Sequence, residues 1–318
     1  MSKINKAYFT AEELMKRELR ELPTLWNPFL PKVGLVGITG SSDTGKSTLL
    51  RQLAIAVCNG STKFLGHPLN PEHRSAIYIS TEDSEDAVSV CLKKQFGDGL
   101  NAKDLPGLLF VFNQDNPVKT ACEIMKSRAI DLLIIDAWAD LFNGNTNDVS
   151  QTRNALNELN KIAMENKCLV IILHHTVKNS EYNRPDKNKL NGSQGIEAKL
   201  RVLLELRPRN TEERLLSVLK GNYISGKIKN KSIVLEFNED RLMFRKTGEI
   251  DKNSIAESGK GAFSKDTGLA KRIKQLKDEE GLSFFKIHDI IKVEFTGEKP
   301  PSITTLKNIY RSVSQSAA

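Results

Sequence analysis

The stretch Gly40-Ser-Ser-Asp-Thr-Gly-Lys-Ser47 stands between an apolar run, residues 33–39, and a segment with helical apolar periodicity, residues 46–58. It matches the pattern GxxxxGK[ST], which carries meaning when a strand precedes it and a helix follows it. Gly40 and Gly45 allow backbone N–H groups to curl around a phosphate, and the positive end of the following helix adds to the attraction. The sequence therefore predicts a phosphate-binding loop, with a chance Gly-rich turn as the alternative.

Two side chains of this loop have the chemistry that a nucleotide and its metal require. Lys46 is expected to reach the β- and γ-phosphates, and the Ser47 hydroxyl to ligate Mg²⁺. We therefore predict ATP and Mg²⁺ as cofactors. The predicted cofactor-binding residues are Gly40, Ser41, Ser42, Asp43, Thr44, Gly45, Lys46, Ser47 and Thr48.

Beyond the loop, short apolar runs alternate with helical patterns. Further strands are predicted at residues 76–80, 108–112, 131–136, 168–173 and 200–206, with helices at 84–95, 116–127 and 149–165. Apolar runs at 215–220, 233–237 and 242–244 are typical of a terminal antiparallel meander. Strands buried on both faces and separated by helices indicate an α/β fold with a mainly parallel sheet.

Carboxylates follow two of the predicted strands. Asp136 ends the run 132–136 and is our choice of metal ligand, with Asp140 about one turn further on as the competitor. Glu82 follows the strand 76–80 and is a candidate to orient and deprotonate an attacking water, with Asp83 as the competitor. Alternatively, these two acids only stabilise the next helix by interacting with the positive end of its dipole.

Two histidines end the strand at residues 168–173. One of them, His175, is a candidate to hydrogen-bond a γ-phosphate. A structural histidine is the main alternative, and a metal-binding pair with His174 lacks a visible third ligand.

Composition excludes several classes of protein. With 318 residues, of which 39% are hydrophobic and 27% charged, the chain has room for a packed core. Its apolar runs are too short to span a membrane, and the first ten residues lack the apolar core of a signal peptide. The four cysteines, Cys58, Cys91, Cys122 and Cys168, have no metal-ligand spacing. We therefore predict a cytoplasmic protein with reduced thiols and no membrane partner.

The basic excess is concentrated in one part of the chain. Residues 1–177 carry 19 basic and 20 acidic side chains, whereas residues 178–248 carry 16 and 9, a net charge of +7 out of +8 overall. A basic stretch of this kind indicates a polyanionic partner or a solvated cationic face.

The ordered set of motifs resembles the RecA-like P-loop ATPases, and more closely the RepA-type hexameric replicative helicase family, over about residues 23–245. The matching elements are the phosphate loop, the Glu82-Asp83 pair, the Ile-Ile-Asp136 strand end, the His174-His175 pair, Gly192-Ser193 ahead of Arg201, and the Lys220-Gly-Asn-Tyr223 element. The phosphate loop alone is unspecific, but the ordered set is fairly specific.

The resemblance implies a role for each matching residue. It makes Glu82 the catalytic glutamate, His175 the γ-phosphate sensor and Arg201 the arginine finger that acts on a neighbouring subunit. Arg207 and Lys220 compete for the finger role, and a salt-bridging strand residue is the structural alternative for Arg201. The family also implies a homo-oligomer, a hexameric ring with shared active sites. Protein partners are not indicated.

The sequence pattern divides the chain into four parts. Residues 1–32 form an N-terminal helix, predicted at 10–21, and a connector; residues 33–246 form the RecA-like ATPase domain; residues 247–266 form a linker. Residues 267–318 form a small helical C-terminal domain, a winged-helix or helix-turn-helix module, with helical patterns at 269–279, 284–293 and 303–312. We expect that module to bind DNA, and a packing or partner-docking helical module is the alternative.

A long polar loop at residues 176–191 is the predicted nucleic-acid contact. Its cations Lys178, Arg184, Lys187 and Lys189 would meet phosphates, and Tyr182 would stack on a base. The alternative is a surface loop without that role. We expect a ring-forming motor on single-stranded DNA, in replication of a mobile or plasmid-like element. A non-motor ATP-dependent DNA-binding protein is the alternative, and an ATPase acting on proteins alone is a third.

Overall fold

The computed structural model describes residues 8–97, 103, 105–112, 115–142, 144, 148–175, 193–255, 268–294, 302–303, 306–307 and 310. These residues form two compact units, one of the described residues up to Ile250 and one of those from Asp251 onward. Within these ranges no helix combines the length and the apolar character that a membrane crossing requires.

The first unit contains strands and helices in alternation. Its strands are β1 (Thr24–Trp26), β2 (Leu30–Pro31), β3 (Gly34–Gly40), β4 (Lys63–Phe64), β5 (His67–Pro68), β6 (Ala76–Ser80), β7 (Leu108–Phe112), β8 (Leu132–Asp136), β9 (Leu169–His175), β10 (Val202–Pro208), β11 (Glu213–Gly221), β12 (Lys231–Asn238) and β13 (Met243–Asp251). Its helices are α1 (Ala11–Met15), α2 (Lys46–Cys58), α3 (Glu85–Phe96), α4 (Pro117–Ser127), α5 (Trp138–Leu141), α6 (Val149–Asn166), α7 (Ser193–Lys199) and α8 (Gly226–Lys229).

Nine of the strands form one sheet in the order β13-β12-β11-β10-β3-β9-β8-β6-β7. The strands from β10 to β7 in that order run parallel to their neighbours, whereas β11 runs antiparallel to both β10 and β12. The predicted α/β class with a mainly parallel sheet is therefore confirmed. The inner parallel strands, such as β3 and β8, are buried on both faces, which is why they are near-continuous apolar runs in the sequence.

Separate apolar clusters cover the two faces of the sheet. On one face α2 packs through residues such as Leu50 and Leu53. On the other face α4 and α6 contribute Met125, Leu156 and Leu159. Because both faces are covered, polar side chains of the central strands are placed where the strands end.

Strand register decides which of those ends meet. Gly40 at the end of β3 lies opposite His175 at the end of β9, and Ser80 at the end of β6 lies opposite Asp136 at the end of β8. The phosphate loop, the histidine pair and the two carboxylate-bearing ends therefore lie along one edge of the sheet.

The N-terminal segment differs from its prediction in two ways. The helix predicted at residues 10–21 ends at Met15, although a capping box at Thr10 begins it. Since α1 buries no side chain, packing contributes little to extending it. The predicted connector instead belongs to the core, because Trp26 is 1% exposed and its Nε1 donates to the Phe64 carbonyl oxygen at 2.8 Å.

The last strand of the sheet extends beyond the predicted start of the linker. Strand β13 continues to Asp251, five residues into the predicted linker, and a 3₁₀ turn follows at Lys252–Ser254. The second unit contains α9 (Gly268–Lys274), which continues as a π-helical turn at Gln275–Glu279, and α10 (Phe284–Glu294). Its apolar core is Ile273, Leu276, Ile287, Ile291 and Leu306. A helical C-terminal region is thus confirmed, and its winged-helix or helix-turn-helix identity stays a prediction.

Candidate nucleotide-binding site

The backbone of the phosphate loop requires its two glycines. Gly45 precedes α2 with φ 87°, and a Cβ there would lie 2.7 Å from the Phe244 ring. Gly40 has φ 153°, and a Cβ there would lie 2.1 Å from the Leu206 carbonyl oxygen. A side chain at either position would therefore collide with a neighbouring strand, as well as adopt a conformation that L-residues avoid.

Lys46 is held inside the loop. Its side chain is 5% exposed, and Nζ donates to the Ser41 carbonyl oxygen at 2.6 Å. Burial lowers the pKa of Lys46, while the nearby acids Asp136, Glu82 and Asp43 oppose that shift. An anionic phosphate at this position would supply the counter-charge that favours the protonated amine.

The Asp136 carboxylate lies beside the first turn of α2. Its Oδ2 accepts a short hydrogen bond from the Tyr78 hydroxyl, and Oδ1 is buried without a hydrogen-bond partner among the described residues. Burial raises the pKa of Asp136, and the interactions with Tyr78 and Ser47 oppose the rise. Burial likewise raises the pKa of Tyr78, so the phenol keeps its proton and donates it. A buried carboxylate oxygen next to a serine hydroxyl fits the oxygen ligands of Mg²⁺.

Asp140 occupies a different environment from Asp136. Its Oδ2 lies 2.6 Å from Thr81 Oγ1 on an exposed surface. Thr81 also accepts from the Ala137 N–H at 2.9 Å and donates its own N–H to the Asp136 carbonyl oxygen at 2.8 Å. Asp140 thus takes part in joining the ends of β6 and β8, and the geometry favours Asp136 as the metal ligand.

Glu82 and Asp83 point to different partners. Asp83 accepts from the guanidinium of Arg51 on α2, Nη1 to Oδ2 3.2 Å, and that guanidinium is 4% exposed. Glu82 lies in the cavity with the phosphate loop and is 55% exposed. Because Asp83 neutralises a buried cation, Glu82 is the carboxylate available to a water molecule.

The two histidines also separate by environment. His174 is 4% exposed and packs against the Trp138 ring, with 6.0 Å between ring centroids. His175 is 37% exposed, and its Nε2 lies 3.8 Å from Glu82 Oε1. Among the described residues no group of three His, Cys, Asp or Glu side chains is arranged to hold a metal. The structure therefore brings His175 to the phosphate loop and gives His174 a packing role.

A cavity of about 600 Å³ joins the phosphate loop, Glu82 and His175. Two further residues, Arg214 and Phe237, line it and were not predicted from the sequence. The Arg214 Cζ lies 5.8 Å from the Phe237 ring centroid, and burial lowers the pKa of Arg214. They reach the cavity because β11 and β12 pair next to β10, and no local motif marks them. Arg214 is a cation of the same chain within the site.

The candidates for the finger role lie in three environments. Arg207 is buried and makes a bidentate pair with Glu205, at 2.7 and 2.8 Å from Nη2. Lys220 Nζ donates to the Glu197 carbonyl oxygen at 2.5 Å. Arg201 has an exposed side chain, and its backbone N–H donates to the Leu35 carbonyl oxygen at 3.0 Å.

Arg201 is remote from the phosphate loop of its own chain. Since β10 runs parallel to β3, Arg201 lies beside Leu35, five residues before Gly40. At the rise of a parallel strand that is about 17 Å along the sheet. The structure therefore does not bring Arg201 together with Lys46 and Glu82 in one chain.

The predicted nucleic-acid cations Lys178, Arg184, Lys187 and Lys189 lie outside the described residues, as does Tyr182.

Comparisons with known proteins agree with this geometry. A family model described as the AAA domain matches residues 4–181. Among solved structures, the chain is similar to a KaiC-like protein from the hyperthermophilic archaeon Pyrococcus horikoshii OT3. The TM-score is 0.51 with 16% sequence identity, over 70% of this chain and 93% of that chain. No curated protein matches the chain significantly.

These findings establish the fold and the family. At 16% identity the likeness to the solved structure shows the fold, which is the predicted RecA-like one. The family match contains the phosphate loop, Glu82, Asp136 and His175. A RecA-like P-loop ATPase fold suggests nucleotide binding and ATP hydrolysis. Because the family match spans more than half of its residues, this chain belongs to the AAA domain family.

Proposed function

We propose that this protein is a ring-forming, ATP-hydrolysing motor of the RepA-type helicase kind. It acts on single-stranded DNA in the cytoplasm, during replication of a mobile or plasmid-like element. The observation that carries the proposal is the position of Arg201. Its side chain is exposed, and its backbone lies about 17 Å along the sheet from Gly40 of its own phosphate loop, a separation that suits action on a neighbour's nucleotide.

Within one subunit, different residues have different roles in hydrolysis. Lys46 binds the β- and γ-phosphates, while Ser47 and Asp136 hold Mg²⁺, which neutralises phosphate charge when it is bound. Glu82 orients the attacking water and accepts its proton. His175 hydrogen-bonds the γ-phosphate and, lying 3.8 Å from Glu82, reports its loss to the carboxylate.

The charge distribution supports a nucleic-acid partner. The +7 stretch at residues 178–248 contains the predicted finger Arg201 together with the loop cations Lys178, Arg184, Lys187 and Lys189. Such cations bind the phosphates of single-stranded DNA and release its counterions, so the affinity falls as the salt concentration rises.

A specific observation favours the second candidate, a non-motor ATPase that uses ATP to switch its binding to DNA. Arg214 lines the phosphate cavity from the same chain. A cation in cis can stabilise transition-state charge without a neighbour, so hydrolysis in a monomer is chemically reasonable.

The test is the ATPase rate with and without single-stranded DNA, measured beside the oligomeric mass and strand displacement on a forked duplex. The proposal expects stimulation by DNA, a ring-sized mass and displacement of fixed polarity. DNA binding without displacement would support the second candidate, and an unstimulated rate would indicate an ATPase that acts on proteins.

Salt dependence tests the DNA contact separately. Replacing Lys178, Arg184, Lys187 and Lys189 together by alanine should reduce the slope of log affinity against log salt by up to about 3, since each contact to a single strand contributes about 0.7. Replacing Lys93 and Lys94 of α3 is the matched control and should leave the slope unchanged. An unaltered slope in the loop variant would mean that the loop is not part of the DNA-binding surface.

A further inference from the structure

Tyr78, on β6, carries a polar group in an otherwise apolar environment. Its side chain is fully buried, and the ring packs against Phe110 with 5.5 Å between ring centroids. The hydroxyl donates a short hydrogen bond to Asp136 Oδ2 and lies 3.4 Å from the Ser47 carbonyl oxygen. A phenylalanine would fill the same space without the cost of burying a hydroxyl, so packing alone does not account for the tyrosine.

We propose that Tyr78 is a positioning residue for the magnesium site. Its hydroxyl holds one carboxylate oxygen of Asp136, and this leaves Oδ1 as the oxygen available to the metal or to a metal-bound water. The inference deepens the ATPase part of the proposed function and rests on it.

Strand register creates this arrangement. Tyr78 pairs with Ile134 on the neighbouring strand β8, and Asp136 follows two residues later. Because side chains two apart on a strand share a face, Ile134 and Asp136 lie on one face of β8. The long phenol can therefore span the short distance from the core to the end of β8.

The bond also joins the elements that carry the site. Tyr78 belongs to the strand that ends just before Glu82, Asp136 ends β8, and Ser47 lies in the first turn of α2. The hydroxyl holds Asp136 through its one proton and lies against the backbone of Ser47, so both proposed metal ligands are next to it. Groups that orient a metal ligand in this way typically affect metal affinity more than overall folding.

The experiment measures the dissociation constant of a fluorescent ADP with and without Mg²⁺ for wild type and Tyr78→Phe. We expect the tightening by Mg²⁺ to fall about 10–100-fold in the variant, with metal-free affinity unchanged. Asp136→Asn is the positive comparison and should lose the tightening. Tyr310→Phe is the matched control, since Tyr310 donates a short hydrogen bond to Asp278 in the second unit. It should behave as wild type.

Two results would overturn the inference. One is a Tyr78→Phe protein that tightens with Mg²⁺ as wild type does. The other is an equal loss of affinity with and without the metal, which would mean that the hydroxyl supports the phosphate loop alone. The assay contains no DNA, so failure of DNA stimulation leaves the inference standing. A wild-type protein that does not bind ADP would overturn it together with the proposed function.

Discussion

The nucleotide site has a buried floor and an open rim, and the two are built differently. The floor consists of Lys46, Tyr78 and Asp136, which are 5%, 0% and 4% exposed. The rim consists of Glu82 and His175, whose side chains are 55% and 37% exposed. The groups proposed to hold phosphate and metal are thus set in the core, whereas the groups proposed to act on the γ-phosphate lie at the surface.

This difference indicates which part of the nucleotide site is preorganised and which part is open. Burial lowers the pKa of Lys46 and raises the pKa of Asp136, so it favours the neutral form of each side chain. A bound metal nucleotide favours the charged forms, because its phosphates are negative and its metal is positive. The floor is therefore preorganised for its ligand. The rim has few fixed contacts among the described residues, so we propose that a substrate or a neighbouring subunit excludes water from it.

The strongest test of this comparison is Arg201→Ala. If a neighbour completes the rim, turnover should fall about 10³–10⁵-fold, the size of arginine-finger effects, while nucleotide affinity stays the same. Steady-state ATPase rates and ADP titrations measure the two quantities. Lys227→Ala, which removes an exposed cation on α8, serves as the control. Normal turnover of Arg201→Ala would mean that the rim is completed within one chain, with Arg214 as the first candidate.

The next test separates the adjacent carboxylates Glu82 and Asp83. Glu82→Gln should lower turnover about 10²–10⁴-fold with nucleotide affinity retained, because it removes the general base and keeps the shape. Asp83→Asn should instead lower the free energy of unfolding by about 1–3 kcal/mol, because the buried Arg51 loses its charged partner. Single-turnover hydrolysis and chemical denaturation distinguish them. The reverse pattern would exchange the roles of the two residues.

The smallest expected effect concerns the floor. Since burial lowers the pKa of Lys46 from 10.5, its charge is lost at a lower pH than that of an ordinary lysine. ADP affinity should therefore weaken as the pH rises, and the decline should begin at a lower pH than an ordinary lysine would give, with proton uptake on binding. Calorimetry in buffers of different ionisation enthalpy measures both. Lys46→Arg keeps its charge throughout and should flatten the dependence. An equally steep decline in Lys46→Arg would place the titrating group elsewhere.

The central fold was predictable because the inner parallel strands are buried on both faces. The runs that became β6 and β8 differ from their predicted bounds by one residue at most, since a fully buried strand has little choice but to be apolar. The phosphate loop was predictable for a related reason, as glycines at 40 and 45 avoid collisions that any side chain would make. Segments without such constraints, the helix after Thr10 and the start of the linker, were placed less well.

The carboxylate choices needed more than the sequence. Glu82 and Asp83 are adjacent acids, and nothing local indicates that a buried arginine on α2 takes the second one. Arg214 and Phe237 belong to the predicted meander, and no local pattern marks them as site residues. Strand pairing across the sheet brings them to the cavity.

The sequence by itself determined the strand–loop–helix unit around Lys46, the order of the strand ends and the α/β class. These follow from local sterics and from apolar periodicity, both of which are properties of short segments. The tertiary structure alone decided which polar groups share the site. It paired Gly40 with His175 and Ser80 with Asp136, placed the Tyr78 hydroxyl against the Asp136 carboxylate, and set Arg201 just before β10, away from the phosphate loop. Those outcomes depend on the register between strands distant in the chain, and register is set by packing of the whole sheet.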